Sequence, residues 1–331
     1  MKPRKIKIEV FKITLNNDTD RVKNPNFRDL FKKQLLTSDE SLTDDELFTK
    51  FNESFTKTID NSGKYYQSSK KAEKAFSVFD VALANVKENY IHGVLKGGFK
   101  GDNKTSSNLD DRDKTEKLDD KVINNRHFFL LHAPLGSNVG FLFFQSFSQE
   151  NIRVDFITFL KRKIFKFERQ YNQPDIQPFI AKSIREEFLD GAVVSKITYS
   201  QKVLGSVFGE ETFKTGPSHY NIKVTIEPTG ERKKISVNQL EKKFASLLDE
   251  KKFLGKALGR FSKKRGVLVN NKKETPFTIG GTDDILPIIY LNEDYIDANN
   301  QPKIKEIRLY CEDLLTKIVN EENERTKVKP V

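Results

Sequence analysis

Tryptophan is absent, and cysteine and methionine occur once each in 331 residues. The lone Cys311 excludes an internal disulfide and any zinc site built on several thiolates. The four histidines, His92, His127, His132 and His219, lack metal-ligand spacing, so no metal and no cofactor is expected. No apolar run approaches the roughly 18 residues of a membrane span; the longest candidate, Val139 to Phe144, suits a buried strand. Nothing after Met1 resembles a charged segment followed by an apolar one, so a reducing cytoplasmic compartment and no membrane partner are expected.

Several catalytic signatures are missing as well. Gly63 and Lys64 are followed by Tyr65, and Gly255 and Lys256 by Ala257, so neither pair ends a phosphate-binding loop that needs Ser or Thr next. No Gly-x-Ser-x-Gly elbow occurs, and Cys311 has no histidine near it in sequence, which leaves nucleophilic catalysis without a candidate. Internal repeats and heptads are also lacking.

What is present is a chain with 36% hydrophobic and 32% charged residues, 27 of them Phe, enough apolar mass for a packed core under a very polar surface. The length predicts two domains, an N-terminal α+β domain over residues 1–200 and a C-terminal α+β domain over 201–331. The fold class expected is α+β, with antiparallel or mixed sheets and packed helices, because strand and helix patterns alternate irregularly and hairpins are evident. Residues 4–15 read as a strand with a bulge or with both faces buried, and 26–55 as two helices. Residues 65–99 are strand-like, with Gly93, Gly97 and Gly98 marking bends. Phe128 to Leu131 and Val139 to Phe144 are continuous apolar runs expected at the heart of a sheet. Residues 100–121 hold few apolar side chains and read as a flexible loop whose aspartates, Asp110, Asp111, Asp113, Asp119 and Asp120, serve solubility more than metal binding.

Further on, a basic helix is expected from Arg153 to Arg169, a short helix over 184–189 and a strand over 192–199. Tyr220 to Ile226 alternates cleanly and is expected to pair through a turn at Pro228 to Gly230 with 233–237. Ser236 and Gln239 fit a capping box for a helix that leads into the basic block. The chain closes with a strand at 285–291, a helix carrying Ile304, Ile307, Cys311, Leu314, Leu315 and Ile318 on one stripe, and a polar tail from Glu321.

Charge is distributed unevenly. Residues 151–282 carry 26 Lys and Arg against 14 Asp and Glu, while the remaining residues carry 32 against 33. The densest part, 251–273, has nine basic residues and no acid: Lys251, Lys252, Lys256, Arg260, Lys263, Lys264, Arg265, Lys272 and Lys273. Gly255, Gly259 and Gly266 suggest a broken helix or loop there. Such density draws a polyanion, and lysine-rich stretches neutralise phosphates by counterion release without fixed geometry. The expected function is therefore non-enzymatic binding of DNA or RNA backbone, with Lys161, Arg162, Lys163 and Lys166 as an extension of the surface. Tyr199, Phe208, Tyr220, Phe244, Phe253 and Phe261 interleave with these charges and could stack on bases, although burial is the default use of so many rings.

Two enzymatic alternatives are weaker. Glu227, Glu231 and Lys233 flank a predicted turn and offer the carboxylate-plus-lysine set of a metal-dependent nuclease, and Glu241 to Lys243 is a second local match. Arg126 and His132 have the spacing of a short Arg and His motif of some all-helical RNases, but Phe128 to Leu131 predict a strand, so a structural histidine is expected. A last alternative is an adaptor subunit that sets its basic face on an acidic partner, for which the Lys, Asn, Ile and Phe bias of an AT-rich genome suggests a bacterial antiphage defence complex; a protein partner or a homo-oligomer is a further expectation.

Overall fold

The structure is a computed structural model that describes residues 6–15, 25–35, 42–60, 63–69, 72–82, 85–101, 105–107, 115–119, 121–147, 152–165, 174–190, 192–204, 218–228, 249–253, 256–270, 273–278 and 289–327. Helices and antiparallel sheets are both present, as an α+β chain requires. Contacts divide the chain into two compact units, Met1–Phe179 with Ile289–Val331, and Ile180–Ile288. The boundary expected at residue 200 falls inside a strand of the second unit, and the last 43 residues return to the first.

In the first unit the elements are β1 (Ile6–Thr14), α1 (Phe27–Gln34), α2 (Asp44–Asp60), β2 (Lys74–Ala82), β3 (Tyr90–Phe99), β4 (Thr105–Ser107), β5 (Thr115–Lys117), β6 (Asn125–His132), β7 (Val139–Phe147), α3 (Arg153–Phe159) and β8 (Asp175–Phe179). A seven-stranded antiparallel sheet runs β1-β7-β6-β3-β2, and the other edge of β1 is shared end to end by β8 and by β15 (Ile289–Tyr290). The two apolar runs of β6 and β7 do pair at its centre. Both faces of β1 are buried and its register with β7 is unbroken; the bulge lies instead in β2, between Val78 and Asp80.

One sheet face presents Phe11, Ile13, Leu95, Phe129, Leu131, Leu142 and Phe144 to Phe31 of α1, to Phe48, Phe51 and Phe55 of α2, and to Phe156 of α3. Phe31 and Phe51 stack with centroids 3.6 Å apart, and Phe76 meets Phe156 edge-on at 5.7 Å. Gly93 does not bend β3: a Cβ there would lie 2.9 Å from the Phe129 ring, so its absence is what admits the ring. Capping boxes start both helices, Asn26 with Asp29 for α1 and Thr43 with Glu46 for α2. The other face carries α5 (Ile304–Lys327), anchored by buried Ile307, Cys311, Leu314, Leu315 and Ile318 and by the Tyr90 hydroxyl donating to Glu312 at 2.8 Å. That helix continues through part of the stretch expected as a tail, down to Lys327.

The expected loop 100–121 contains the hairpin β4–β5, in which Ser106 opposes Glu116. The expected helix of 153–169 is α3 followed by a π turn over Leu160–Ile164; residues 166–169 lie outside the described residues.

The second unit holds α4 (Lys182–Asp190), β9 (Val193–Leu204), β10 (His219–Ile226), β11 (Lys252–Phe253), β12 (Lys256–Ala257), β13 (Lys263–Asn270) and β14 (Lys273–Thr278). Its sheet runs β10-β9-β13-β14, all antiparallel. Phe188, Val194, Ile197, Tyr199, Leu258, Phe261, Leu268 and Phe277 form its core on one sheet face. The expected 233–237 strand and the capping box at Ser236 lie outside the described residues. No helix among the described residues is long and apolar enough to cross a membrane.

Candidate nucleic-acid interface

The described part of the basic block is largely β-structure, because Val267, Leu268 and Val269 favour an extended strand and β9 offers a partner edge. That period of two decides where each cation goes. In the cross-strand register Lys263 opposes Ser200 and Ser200 opposes Lys223, while Arg265 opposes Thr198 and Thr198 opposes Thr225. These side chains share the face opposite the core, and Lys202, Lys223, Lys263, Thr225 and Arg265 are exposed on it. With strands ~4.8 Å apart, Lys223 and Lys263 stand about 10 Å from each other across a hydroxyl row of Ser200, Thr198 and Thr225. Lys202, Lys223, Lys263 and Arg265 have no carboxylate partner among the described residues. Glu227, at the end of this face, pairs with Lys196 at 3.4 Å.

Lys264, one residue out of phase, turns to the core side. Its ammonium lies 2.6 Å from Asp249, and the Asp249 carboxylate helps burial hold the Tyr199 hydroxyl protonated well above its usual range. Leu258 and Phe261 belong to the same core, so the hairpin β11–β12 and the turn after it sit on that side. Lys251, Lys252 and Arg260 are exposed and Lys256 half-buried, but on a surface other than that of Lys263 and Arg265. The block expected as a single surface is thus divided by strand alternation. No known family's model matches the chain, and no curated protein matches it in sequence.

Other expected residues fall elsewhere. Lys161, Arg162 and Lys163 lie on the π turn of the first unit, where Arg162 donates to the Ser68 carbonyl at 3.3 Å. Lys273 is in β14; Lys166 and Lys272 are outside the described residues, as are Glu231, Lys233, Phe208 and Phe244. Of the candidate nuclease set only Glu227 is described, and it is taken up by Lys196. No group of three or more His, Cys, Asp or Glu converges among the described residues. Tyr199 and Phe261 are core residues, whereas Phe253 is 42% exposed.

Arg126 and His132 both project from one face of β6, but six residues apart, about 20 Å along an extended strand. They do not form a pair. His132 is stacked on Phe141 and His127 on Phe144, and burial pushes each imidazole down to about 4. Lys202 and Lys223 were missed by reading charge density alone; the alternation of 219–226 was the signal that could have found them.

Proposed function

We propose that this chain binds nucleic-acid backbone through the exposed face of the second sheet, with Lys202, Lys223, Lys263 and Arg265 on phosphates and Thr198, Ser200 and Thr225 donating hydrogen bonds between them. The observation that carries this reading is the cross-strand row Lys223–Ser200–Lys263, flanked by Arg265 and Lys202, on a face where Glu227 is paired with Lys196. Four cations aimed outward from a rigid sheet give a local field that a phosphate chain satisfies, and hydroxyls between them suit phosphate oxygens. Lysine predominates over arginine, and point charges on flexible stems hold a backbone without reading base edges. Binding without catalysis is the reading, and sequence selectivity is expected to be low.

Fluorescence anisotropy with labelled duplex and single-stranded oligonucleotides tests it. Wild-type affinity should fall steeply with salt, with a log–log slope on the order of −3 for about four phosphates engaged. K263E/R265E should weaken binding at least tenfold. A salt-independent affinity, or a charge-reversed protein that binds as well as wild type, overturns the proposal. Cleavage of the oligonucleotides with Mg²⁺ that stops with chelator would favour the nuclease alternative.

A further inference from the structure

A second surface lies on the first unit, at the β2 end of its sheet. Ser77, Lys96 and Arg126 oppose one another across β2, β3 and β6, so they rise from one face. Tyr65 precedes the Tyr66–Phe76 bridge that prolongs the sheet beyond β2. Two cations here lie against aromatic rings: the Arg126 guanidinium 4.4 Å from the Phe79 centroid, and the Lys96 ammonium 5.9 Å from that of Tyr65. The Tyr65 hydroxyl is held by Asn124 at 2.9 Å, which fixes the orientation of its ring.

Phe79 is the residue that β2 has to spare. Val78 opposes Leu95 and Asp80 opposes Val94, so the bulge leaves Phe79 unpaired and swings its ring out, 51% exposed. An apolar ring that costs solvation there, layered with an exposed guanidinium, has the form of a stacking platform: one plane apolar, one plane cationic, both flat. We infer that Phe79 with Arg126, supported by Tyr65 and Lys96, stacks the unpaired bases of a single-stranded nucleic acid while the two cations take the adjoining phosphates. This rests on the backbone-binding reading above and adds to it the form of the polymer.

The occupant follows from the chemistry of the patch. Cations select a polyanion, and ring faces select one with flat apolar faces exposed. A duplex keeps its base faces in its own stack and meets such a patch only through phosphates. An acidic peptide would satisfy the charges but leave the Phe79 ring uncovered. Asp80, the exposed acid beside the patch, opposes Val94 on the same face and lies within electrostatic reach of His92.

The test compares labelled oligo(dT) or oligo(U) with a duplex of equal length on the wild-type chain and on F79S/R126S, both positions being exposed and the variant's melting temperature being checked against wild type. Single-strand affinity should fall about tenfold, given roughly 1–3 kcal/mol per stacked base, with duplex affinity changed less than twofold, and F79W with Arg126 intact should bind single strands at least as tightly as wild type. A 5-iodouracil oligonucleotide should photocrosslink to peptides containing Phe79 or Tyr65. Unchanged single-strand affinity in F79S/R126S, or an equal loss on duplex, overturns the stacking inference while leaving the sheet-face reading intact. Absence of all binding by wild type overturns both.

Discussion

The Lys264 ammonium meets Asp249 at 2.6 Å on the core side of the second sheet, while its neighbours Lys263 and Arg265 leave the strand in the opposite direction. Three adjacent cations therefore divide between two faces of the sheet. K264Q should leave oligonucleotide affinity within about twofold of wild type but lower stability by roughly 1 kcal/mol, since the pair is partly exposed and Asp249 keeps one oxygen buried without a partner. K263Q should do the reverse. Urea melts beside anisotropy titrations separate the two effects, and equal binding losses at all three positions would contradict the alternation.

The pH dependence of stability is set in part by His127 and His132. Burial is the leading cause at His127 and acts alone at His132, lowering both to about 4 from an ordinary 6.5. Between those values the unfolded chain holds protons that the folded chain does not, so stability falls as pH drops from about 6.5 toward 4. Each histidine contributes on the order of 3 kcal/mol to that fall. H132F, which keeps the stack on Phe141, should flatten the urea midpoint between pH 7 and pH 5 relative to wild type. A variant as acid-sensitive as the parent would show that the imidazole is not the group titrating.

Periodicity carried most of what was legible in the sequence. The runs at 128–131 and 139–144 announce a central strand pair, and the stripe from Ile304 to Ile318 announces α5, because continuous burial and a 3.6 period are both local signals. Glycine misled twice. Gly93 and Gly266 read as bends or helix breaks, but each clears space for a ring, Phe129 or Phe277, whose arrival depends on pairing between distant segments. The site was legible as charge and not as surface: density along the chain counts Lys264 with Lys263, whereas the pleat separates them and recruits Lys202 and Lys223 from other strands. Nothing local in residues 289–327 says that they rejoin the first unit, since that depends on the free edge of β1 and the uncovered sheet face.

Gly266 offers a sharp steric test. It opposes Phe277 in the β13–β14 pair, and a Cβ built on it would stand 2.0 Å from the ring. The ring lies over the glycine and replaces the side chain it lacks. G266A should destabilise the second unit by about 1–3 kcal/mol, the cost of overpacking. G266A/F277L should recover part of that loss by removing the obstructing ring edge. Thermal melts of the single and double variants measure the coupling, and additive losses would rule the steric account out.

Cys311 reports on whether α5 stays on the sheet. Its thiol is wholly buried between that helix and the strands, and burial, aided by the neighbouring Glu312 charge, pushes its ionisation far above the usual thiol range. Only the thiolate attacks a disulfide reagent, so both access and ionisation protect it. In native buffer at pH 8 an aromatic disulfide should label Cys311 over hours or more, at a rate set by opening of the helix, and within minutes in guanidinium. Y90F removes the hydroxyl that holds Glu312 at 2.8 Å and should speed native labelling about tenfold or more, since a hydrogen bond to a charged group is worth roughly 1.5–3 kcal/mol. Labelling in native buffer as fast as in denaturant would mean that α5 leaves the sheet freely, and labelling unchanged in Y90F would mean that the Tyr90–Glu312 bond does not hold it there.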